Sequence, residues 1–243
     1  MKGRDPVLLI LVLVAAWQAL YLAVGDIALT SPAHTVKSTA AMLGNARFLP
    51  HVWETLLAFV QAFAIAVVVG LLIGISLGAS RLAGEVGEPI LVALYSIPKV
   101  TLYPIILLVF GIGMPAKVAF GAIHGIVPIA IFAMNAIRNI NPVYVRTARV
   151  LRLSPLETAG KILLRASLPE IVTGIRVGFS LALIGTLLGE MFGAQRGLGY
   201  LLMQAMSLHN MEMIMSLTLL LIVFAASVNA GLLALDRRLH QRA

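Results

Sequence analysis

Cysteine is absent from the 243-residue chain, and charged residues make up only 12% of it. The first absence excludes disulfide bonds, thiolate catalysis and thiolate metal sites. The second excludes an ordinary water-soluble domain, because 60% of the residues are hydrophobic and a soluble domain needs a polar surface. Lipid is therefore the expected solvent for most of the chain.

Long apolar runs stand where charge is missing. In a bilayer every backbone group must be hydrogen-bonded within the protein, so only helices and closed barrels cross it. The apolar runs reach the length of a spanning helix and exceed that of a barrel strand. The predicted fold class is all-α, a polytopic membrane protein with about six transmembrane helices. The predicted spans are Val7–Val24, His51–Ala79, Pro89–Gly111, Ala116–Met134, Glu170–Phe192 and Met213–Leu235.

A single transmembrane domain over residues 1–243 is expected. Residues 1–50 hold the first span and an external loop, and residues 51–235 form the core. Within the core, residues 139–169 form the longest polar stretch, which we call the polar segment. Residues 236–243 form a tail. The first apolar run resembles a signal peptide, but it is long for one and no clear cleavage site follows, so an uncleaved span is predicted.

The net charge is +8, from 18 lysines and arginines against 10 acidic residues. Such an excess could indicate a nucleic-acid partner. However, most of the basic residues fall in segments that would share one side of a membrane, and basic residues collect on the cytoplasmic side of membrane proteins. We therefore expect no nucleic-acid partner, and we expect both termini and the polar segment to be cytoplasmic.

Glycines recur at helical spacing in two of the predicted spans. Residues three or four apart share one face of a helix, and small residues there let a neighbouring backbone approach closely. These glycines are predicted to pack helices together. They are Gly70, Gly74 and Gly78 in the second span, and Gly174, Gly178, Gly185 and Gly189 in the fifth.

Two prolines, Pro98 and Pro104, interrupt the third predicted span. A proline removes a helical hydrogen bond and bends the helix, and in a membrane such breaks face protein or a cavity. Lys99 follows the first proline near the middle of the span, where a charge is costly. It is predicted either to line the solute path, or to snorkel or pair with a carboxylate such as Glu190 or Glu54.

Two other polar residues lie in predicted spans. His124 lies in the middle of the fourth span, where it is expected either to pack through a hydrogen bond or to line the path. Glu190 lies near the external end of the fifth span, where it is expected either to be solvated or to line the path. No second ligand stands four residues from His124, so we predict no metal site and no cofactor on this chain.

The polar segment carries its own helix signals. Ser154 stands at an N-cap position, Pro155 at the first helical position and Glu157 at the spacing of a capping box. They predict a short helix from the proline to about Arg165. Apolar residues such as Leu151 within so exposed a segment indicate a surface for a partner.

The polar segment resembles the EAA loop of ABC-importer permeases, whose pattern is Glu-Ala-Ala, three residues, Gly, nine residues and Ile-x-Leu-Pro. Ala148, Ile162 and Leu164 match the pattern. Arginine replaces its Glu, Gly and Pro, at Arg146, Arg152 and Arg165. The runs Ala148-Arg-Val-Leu, Leu168-Pro-Glu-Ile-Val-Thr-Gly-Ile-Arg-Val-Gly and Gly189-Glu-Met-Phe-Gly-Ala-Gln-Arg-Gly-Leu-Gly-Tyr-Leu-Leu are similar to the nitrate/sulfonate/taurine branch of that family.

The resemblance implies the type I importer fold, in which two permease chains form the pathway and each presents a coupling helix to a nucleotide-binding subunit. It implies a homodimer in a bacterial inner membrane, a cytoplasmic ABC ATPase dimer that carries ATP and Mg, and a periplasmic solute-binding protein. The coupling residues that it implies are Ala148, Leu151, Arg152, Ser154, Pro155, Leu156, Glu157, Gly160, Ile162, Leu164 and Arg165.

The sequence also bears on enzyme activity. The phosphate-binding loop Gly-x-x-x-x-Gly-Lys-Ser/Thr is absent, since Gly160 and Lys161 are followed by Ile162. ATP hydrolysis is therefore expected on another polypeptide. The alternative function is a stand-alone secondary transporter or channel, which would need a charge relay or an internal repeat. A membrane enzyme would need clustered titratable groups. Lys99 favours an anionic solute.

Overall fold

The computed structural model describes residues 5–25, 28–154 and 157–240, and this part of the chain is helical and contains no strand. The α-helices are α1 (Asp5–Val24), α2 (Pro32–Leu43), α3 (Leu49–Gly78), α4 (Arg81–Ser96), α5 (Tyr103–Phe110), α6 (Met114–Arg138), α7 (Pro142–Val150), α8 (Leu164–Gly193), α9 (Leu198–Ser207) and α10 (Met211–His240). A 3-10 turn at Lys99–Leu102 joins α4 to α5, and a π-helical turn at Thr158–Leu163 precedes α8. The predicted all-α fold class is confirmed.

The helices agree with the predicted spans in order. Five of them, α1, α3, α6, α8 and α10, are long and apolar enough to cross a membrane, and α4 with α5 makes a sixth if the bent pair is one span. The third span differs most from its prediction, since it begins at Arg81 rather than Pro89. The Ala83 N–H donates to Ser80 Oγ, and this side-chain cap starts the helix earlier than hydropathy suggests.

Helix α6 forms the centre of the bundle, with α3 parallel to it and α8 antiparallel to it. A Cβ added at Gly70 of α3 would lie 2.8 Å from Ile129 Cβ, and one added at Gly178 of α8 would meet the same isoleucine. A Cβ at Gly125 of α6 would lie 2.8 Å from Ala66 Cβ. The three helices therefore pack through close backbone approach. The other glycines of both predicted stripes also face α6: Gly74, Gly78, Gly174, Gly185 and Gly189.

Two short helices, α2 and α9, occupy segments that were expected to be external loops. Ser31 caps α2 by accepting a hydrogen bond from the His34 N–H at 3.3 Å, and a proline opens the helix. The Thr39 hydroxyl donates to the Ser216 carbonyl of α10 at 3.4 Å. Such short helices escape a search for long apolar runs, because polar caps and tertiary contacts define them.

Helix α1 is apolar on every face, and no residue of its spanning stretch, Val7–Val24, is buried. The Trp17 Nε1–H donates to the Thr30 carbonyl at 3.0 Å and ties the helix to the chain before α2. A helix that is apolar all round belongs in lipid or inside a larger assembly. The exposure of α1 therefore fits a membrane-embedded subunit.

The helix directions define two ends of the bundle. The first end holds the starts of α3, α6 and α10 and the last turn of α8, with α2 and α9 beside them. The second end holds the last turns of α3 and α6, then α7, the π-helical turn and the start of α8. The polar segment therefore lies at the second end, on the side opposite to α9.

Candidate functional site

The polar segment begins with α7, which local hydrogen bonds close at both ends. The Val143 N–H donates to Asn141 Oδ1 at 3.0 Å at the start of the helix. At the other end the Leu153 N–H donates to the Ala148 carbonyl at 3.0 Å, which is the 6→1 bond of a Schellman motif. Arg152 occupies the left-handed position of that motif with a φ of 51°. Glycine favours this conformation, and the EAA pattern has glycine at this place.

A capping box follows α7 with the spacing that the sequence predicted. The Ser154 N–H donates to Glu157 Oε2 at 3.1 Å, and the Glu157 N–H donates to Ser154 Oγ at 3.3 Å. The Ser154 hydroxyl donates to the same carboxylate oxygen at 2.9 Å. Pro155 and Leu156, which are among the implied coupling residues, lie outside the described residues.

The helix that follows the capping box is not a separate short helix. The π-helical turn Thr158–Leu163 runs directly into α8, and Pro169 lies buried within α8. The predicted end near Arg165 is therefore wrong, because a proline inside a helix removes one hydrogen bond while packing can hold the helix continuous through it. Gly160 lies within the π-helical turn, and a Cβ added there would meet no atom within 4 Å.

The implied coupling residues differ in exposure. Leu151 and Leu164 are 61% and 51% exposed, and Val150, next to Leu151, is 82% exposed. Ala148, in contrast, is 2% exposed, and Ile162 is half-buried. The remaining matched or substituted positions, Arg146, Arg152 and Arg165, are exposed. Large apolar side chains exposed at the end of a bundle are typical of a partner surface.

Helices α4 and α5 are bent by 84° relative to each other. The break lies at Ile97 and Pro98, whose ψ angles of 130° and 91° are extended rather than helical. The ammonium of Lys99 donates to the Tyr95 carbonyl at 3.1 Å and lies 5.2 Å from the centroid of the same tyrosine ring. It pairs with neither of the carboxylates named as alternatives. Pro104 lies in the first turn of α5, where it opens a helix instead of breaking one.

His124 is half-buried in the middle of α6. Its Nδ1 lies 2.8 Å from the Phe120 carbonyl oxygen, and the two rings form a T-shaped contact at 4.6 Å. Gly185 of α8 leaves the space for the imidazole, since an added Cβ would lie 2.7 Å from Nδ1. These contacts fit the packing role. Across the described residues, no group of three or more histidine or acidic side chains could hold a metal ion.

A buried ion pair joins the long helices at the first end. Lys117 in the first turns of α6 is 1% exposed, and Glu190 of α8 is fully buried. The ammonium lies 3.4 Å from Glu190 Oε1 and 2.9 Å from Glu54 Oε1 of α3. It also lies 3.4 Å from the Arg196 carbonyl oxygen, so three acceptors surround it. The pair therefore ties α3, α6 and α8 together with the turn after α8.

The second oxygen of Glu190 is also satisfied. Its Oε2 accepts from the Thr55 hydroxyl at 2.7 Å and from the Gly199 N–H at 3.0 Å. The Leu198 N–H in turn donates to Thr55 Oγ1 at 2.7 Å, which holds the start of α9 in place. The expectation that this glutamate is solvated is wrong, because its side chain is fully buried beside Lys117. Its role in the path stays a prediction.

Sequence reasoning missed Lys117 as a buried residue. The predicted fourth span begins at Ala116, which placed the lysine at its outermost turn, next to water, whereas α6 begins at Met114 and acceptors from α3 and α8 enclose the lysine. A signal was present, since Glu54 and Glu190 both lie near the external ends of their spans. Carboxylates at membrane depth usually have a basic partner, and the lysine at the same end of the next span provides one.

Residues 66–243 match the family model described as "Binding-protein-dependent transport system inner membrane component". The riboflavin transport system permease protein RibX of Chloroflexus aurantiacus is 35% identical over 232 residues, which cover 94% of this chain and 86% of RibX. The taurine transport system permease protein TauC of Escherichia coli is 25% identical over 195 residues, which cover 80% of this chain and 71% of TauC. Both names describe the permease protein of a transport system, which supports the predicted permease subunit over the alternative of a stand-alone transporter or channel.

The fold also resembles a solved one. A chain in an inward-facing structure of the MetNI methionine ABC transporter superposes with a TM-score of 0.68 at 23% sequence identity. The match covers 79% of this chain and 95% of that chain. At this identity the likeness shows the fold alone, and it confirms the predicted type I importer permease architecture.

Proposed function

The chain belongs to the family of binding-protein-dependent transport system inner membrane components, and we propose which of its parts couple to ATP hydrolysis and which line the solute path. It is a multi-pass inner-membrane permease subunit of an ABC importer. Membership implies an ATPase and a solute-binding protein as partners. We assign the polar segment to the ATPase and the bent α4–α5 pair to the path.

The coupling role is supported above all by the continuity of the polar segment with α8. The Schellman motif and the capping box fix the chain on either side of Arg152. The π-helical turn then passes into α8 without a break. Because α8 packs on α6 through glycines, a push on the segment would move the centre of the bundle. A separate ATPase that binds ATP and Mg would supply this push.

The path is assigned from the break at Ile97 and Pro98. Non-helical backbone at membrane depth is tolerated where it faces protein or a water-filled cavity. Lys99 stands beside this break without a carboxylate partner among the described residues, and a cation in such a place points to a water path. Leu108 and Val109, in the last turn of α5, are 87% and 70% exposed. A second copy of this chain would cover this face, with the path between the copies.

An anionic solute follows from the same lysine. TauC is named for taurine, and a relative from Bacillus subtilis, 26% identical, is named for aliphatic sulfonates. Both kinds of solute carry a negatively charged sulfonate group. In this arrangement the second end, with both termini, faces the cytoplasm, in line with its basic residues. The first end, with α2 and α9, faces the solute-binding protein.

The test of coupling is co-expression of the full chain with the ABC ATPase encoded beside it, followed by purification in nanodiscs. Gly160→Pro should break the π-helical turn and abolish permease-dependent stimulation of ATP hydrolysis. Gly160→Ala is the matched control, since its Cβ meets no atom within 4 Å, and it should leave the stimulation intact. Co-purification with full stimulation in the proline variant would contradict the coupling role.

The path is tested separately by solute uptake into proteoliposomes. Lys99→Ala should lower the uptake rate at unchanged complex yield, whereas Lys99→Arg should retain much of it, because the charge is kept. Uptake kinetics of Lys99→Ala identical to those of the native protein would remove this lysine from the path.

A further inference from the structure

The polar segment concentrates positive charge in a chain that has little charge of either sign. Its basic residues are Arg146, Arg149, Arg152, Lys161 and Arg165, and its acidic residue is Glu157. The Glu157 carboxylate already accepts the N–H and the hydroxyl of Ser154 within the capping box. The segment therefore has a large excess of positive charge.

Two arginines elsewhere at the second end have carboxylate partners. The Arg138 guanidinium at the end of α6 lies 2.6 Å from Glu88 Oε2, and Arg81 at the start of α4 lies 2.9 Å from Glu85 Oε1. In contrast, Arg146, Arg152 and Arg165 are exposed and form no ion pair with any residue that the structure describes.

Two further observations concern the backbone of Arg152 and the residues next to it. Arg152 adopts a φ of 51°, which a non-glycine residue adopts at a cost, within the Schellman motif that precedes the capping box. Val150 and Leu151, which stand next to it, are 82% and 61% exposed. An exposed apolar pair beside an arginine whose backbone is held in place suits a protein partner of defined shape. Attraction to anionic lipid, in contrast, needs only positive charge near the membrane.

We propose that the ATPase surface that receives the polar segment is acidic, with carboxylates that bind Arg146, Arg152 and Arg165 around an apolar depression for Val150 and Leu151. The proposal rests on the coupling role given above and adds the chemistry of the partner. Guanidinium groups bind carboxylates through two parallel hydrogen bonds, which gives such a contact direction as well as charge. In the usual EAA pattern, Glu stands at the position of Arg146 and Gly at the position of Arg152. Such a segment would carry a negative charge at the first position and no charge at the second.

The experiment measures the dissociation constant between the full-length permease, in nanodiscs of phosphatidylcholine alone, and the ABC ATPase encoded beside it, without nucleotide. The variant is Arg146→Glu/Arg152→Glu/Arg165→Glu. Its affinity should fall about tenfold or more, because three interfacial pairs become repulsive. Added salt should weaken native binding more than binding of the variant. The triple Arg→Lys variant should retain much of the affinity.

The control is Arg81→Glu, which reverses an exposed arginine at the same end but outside the segment, and it should change the affinity by less than about twofold. Native affinity in the triple glutamate variant would overturn the proposal. An effect that appears only in nanodiscs with phosphatidylglycerol would assign the arginines to lipid and overturn it as well. A monodisperse elution profile and an unchanged melting temperature establish that the variant is folded, and the single Arg146→Glu exchange replaces the triple variant if it is not.

The variant Leu151→Asp separates this proposal from the coupling role itself. If it weakens ATPase binding while the triple glutamate variant does not, the segment is the docking site but its partner is not acidic. If neither exchange changes the affinity, the ATPase binds elsewhere and the coupling role fails too.

Discussion

Replacing Lys117 by methionine tests the buried ion pair at the first end most directly. Methionine keeps much of the apolar stem while it deletes the ammonium group. Glu190 would then keep the hydrogen bonds from Thr55 and Gly199, but it would lose the cation 3.4 Å from its Oε1. Glu54, whose side chain is 29% exposed, can reach water more easily.

Removal of one partner from a buried pair usually costs about 3–5 kcal/mol, because the remaining charge stays buried without compensation. We expect a loss of about 3 kcal/mol in the free energy of unfolding, at the lower end of that range, since two neutral donors still hold Glu190. The double variant Lys117→Met/Glu190→Gln should recover more than half of this loss. Its amide oxygen can accept from Thr55 and Gly199, and no charge is left buried.

The assay is unfolding of the purified permease in mixed micelles with increasing sodium dodecyl sulfate, followed by circular dichroism. Arg81→Met is the control, because Arg81 belongs to an ion pair with a 92% exposed side chain, and it should cost less than about 1 kcal/mol. The reasoning is refuted if Lys117→Met costs no more than this control. It is also refuted if the double variant is less stable than Lys117→Met alone.

Five further exchanges, in three tests, probe packing and local backbone. Gly74→Ala should destabilise the bundle by about 1–3 kcal/mol in the same assay, because its Cβ would press on the backbone of α6. Gly231→Ala, where the Cβ meets nothing within 4 Å, should be neutral or stabilising, and equal effects would contradict the packing argument. Arg152→Gly should stabilise the isolated permease by about 1 kcal/mol by relieving the left-handed conformation. His209→Gly, at a φ of 53°, should behave alike, and destabilisation by either would oppose this account. Ser154→Ala should cost about 1 kcal/mol of local stability, seen as faster hydrogen exchange over the π-helical turn, and unchanged exchange would show that the capping box contributes little.

Several elements were predictable because their causes are local in sequence. The capping box of Ser154 and Glu157 depends on two side chains three residues apart. The break at Pro98 follows from the proline itself, which has no backbone N–H to donate and whose ring clashes with the preceding turn of a helix. The long spans follow from hydropathy, because a run of about 20 apolar residues is enough to cross the hydrocarbon core of a bilayer. The short helices α2 and α9 escaped the same reasoning, since they lie outside the apolar runs.

The site was less predictable where distant segments meet. From the sequence, Glu54 or Glu190 was a possible partner for Lys99. The structure instead pairs both carboxylates with Lys117. Tertiary packing decides that choice, because a lysine near the end of a helix is buried only when other segments bring acceptors to it. The continuity of α8 through Pro169 was likewise settled by packing, which can hold a helix together where a proline alone would suggest its end.

The sequence by itself determined the solvent, the helical class, the order of the spans and the segment that resembles an EAA loop, because composition, spacing and caps act over short distances along the chain. Only the tertiary structure decided that α6 lies between a parallel α3 and an antiparallel α8. It also decided that one lysine compensates two carboxylates from other helices. The physical reason is that close backbone approach at glycine and the pairing of buried charge depend on distances between residues far apart in sequence.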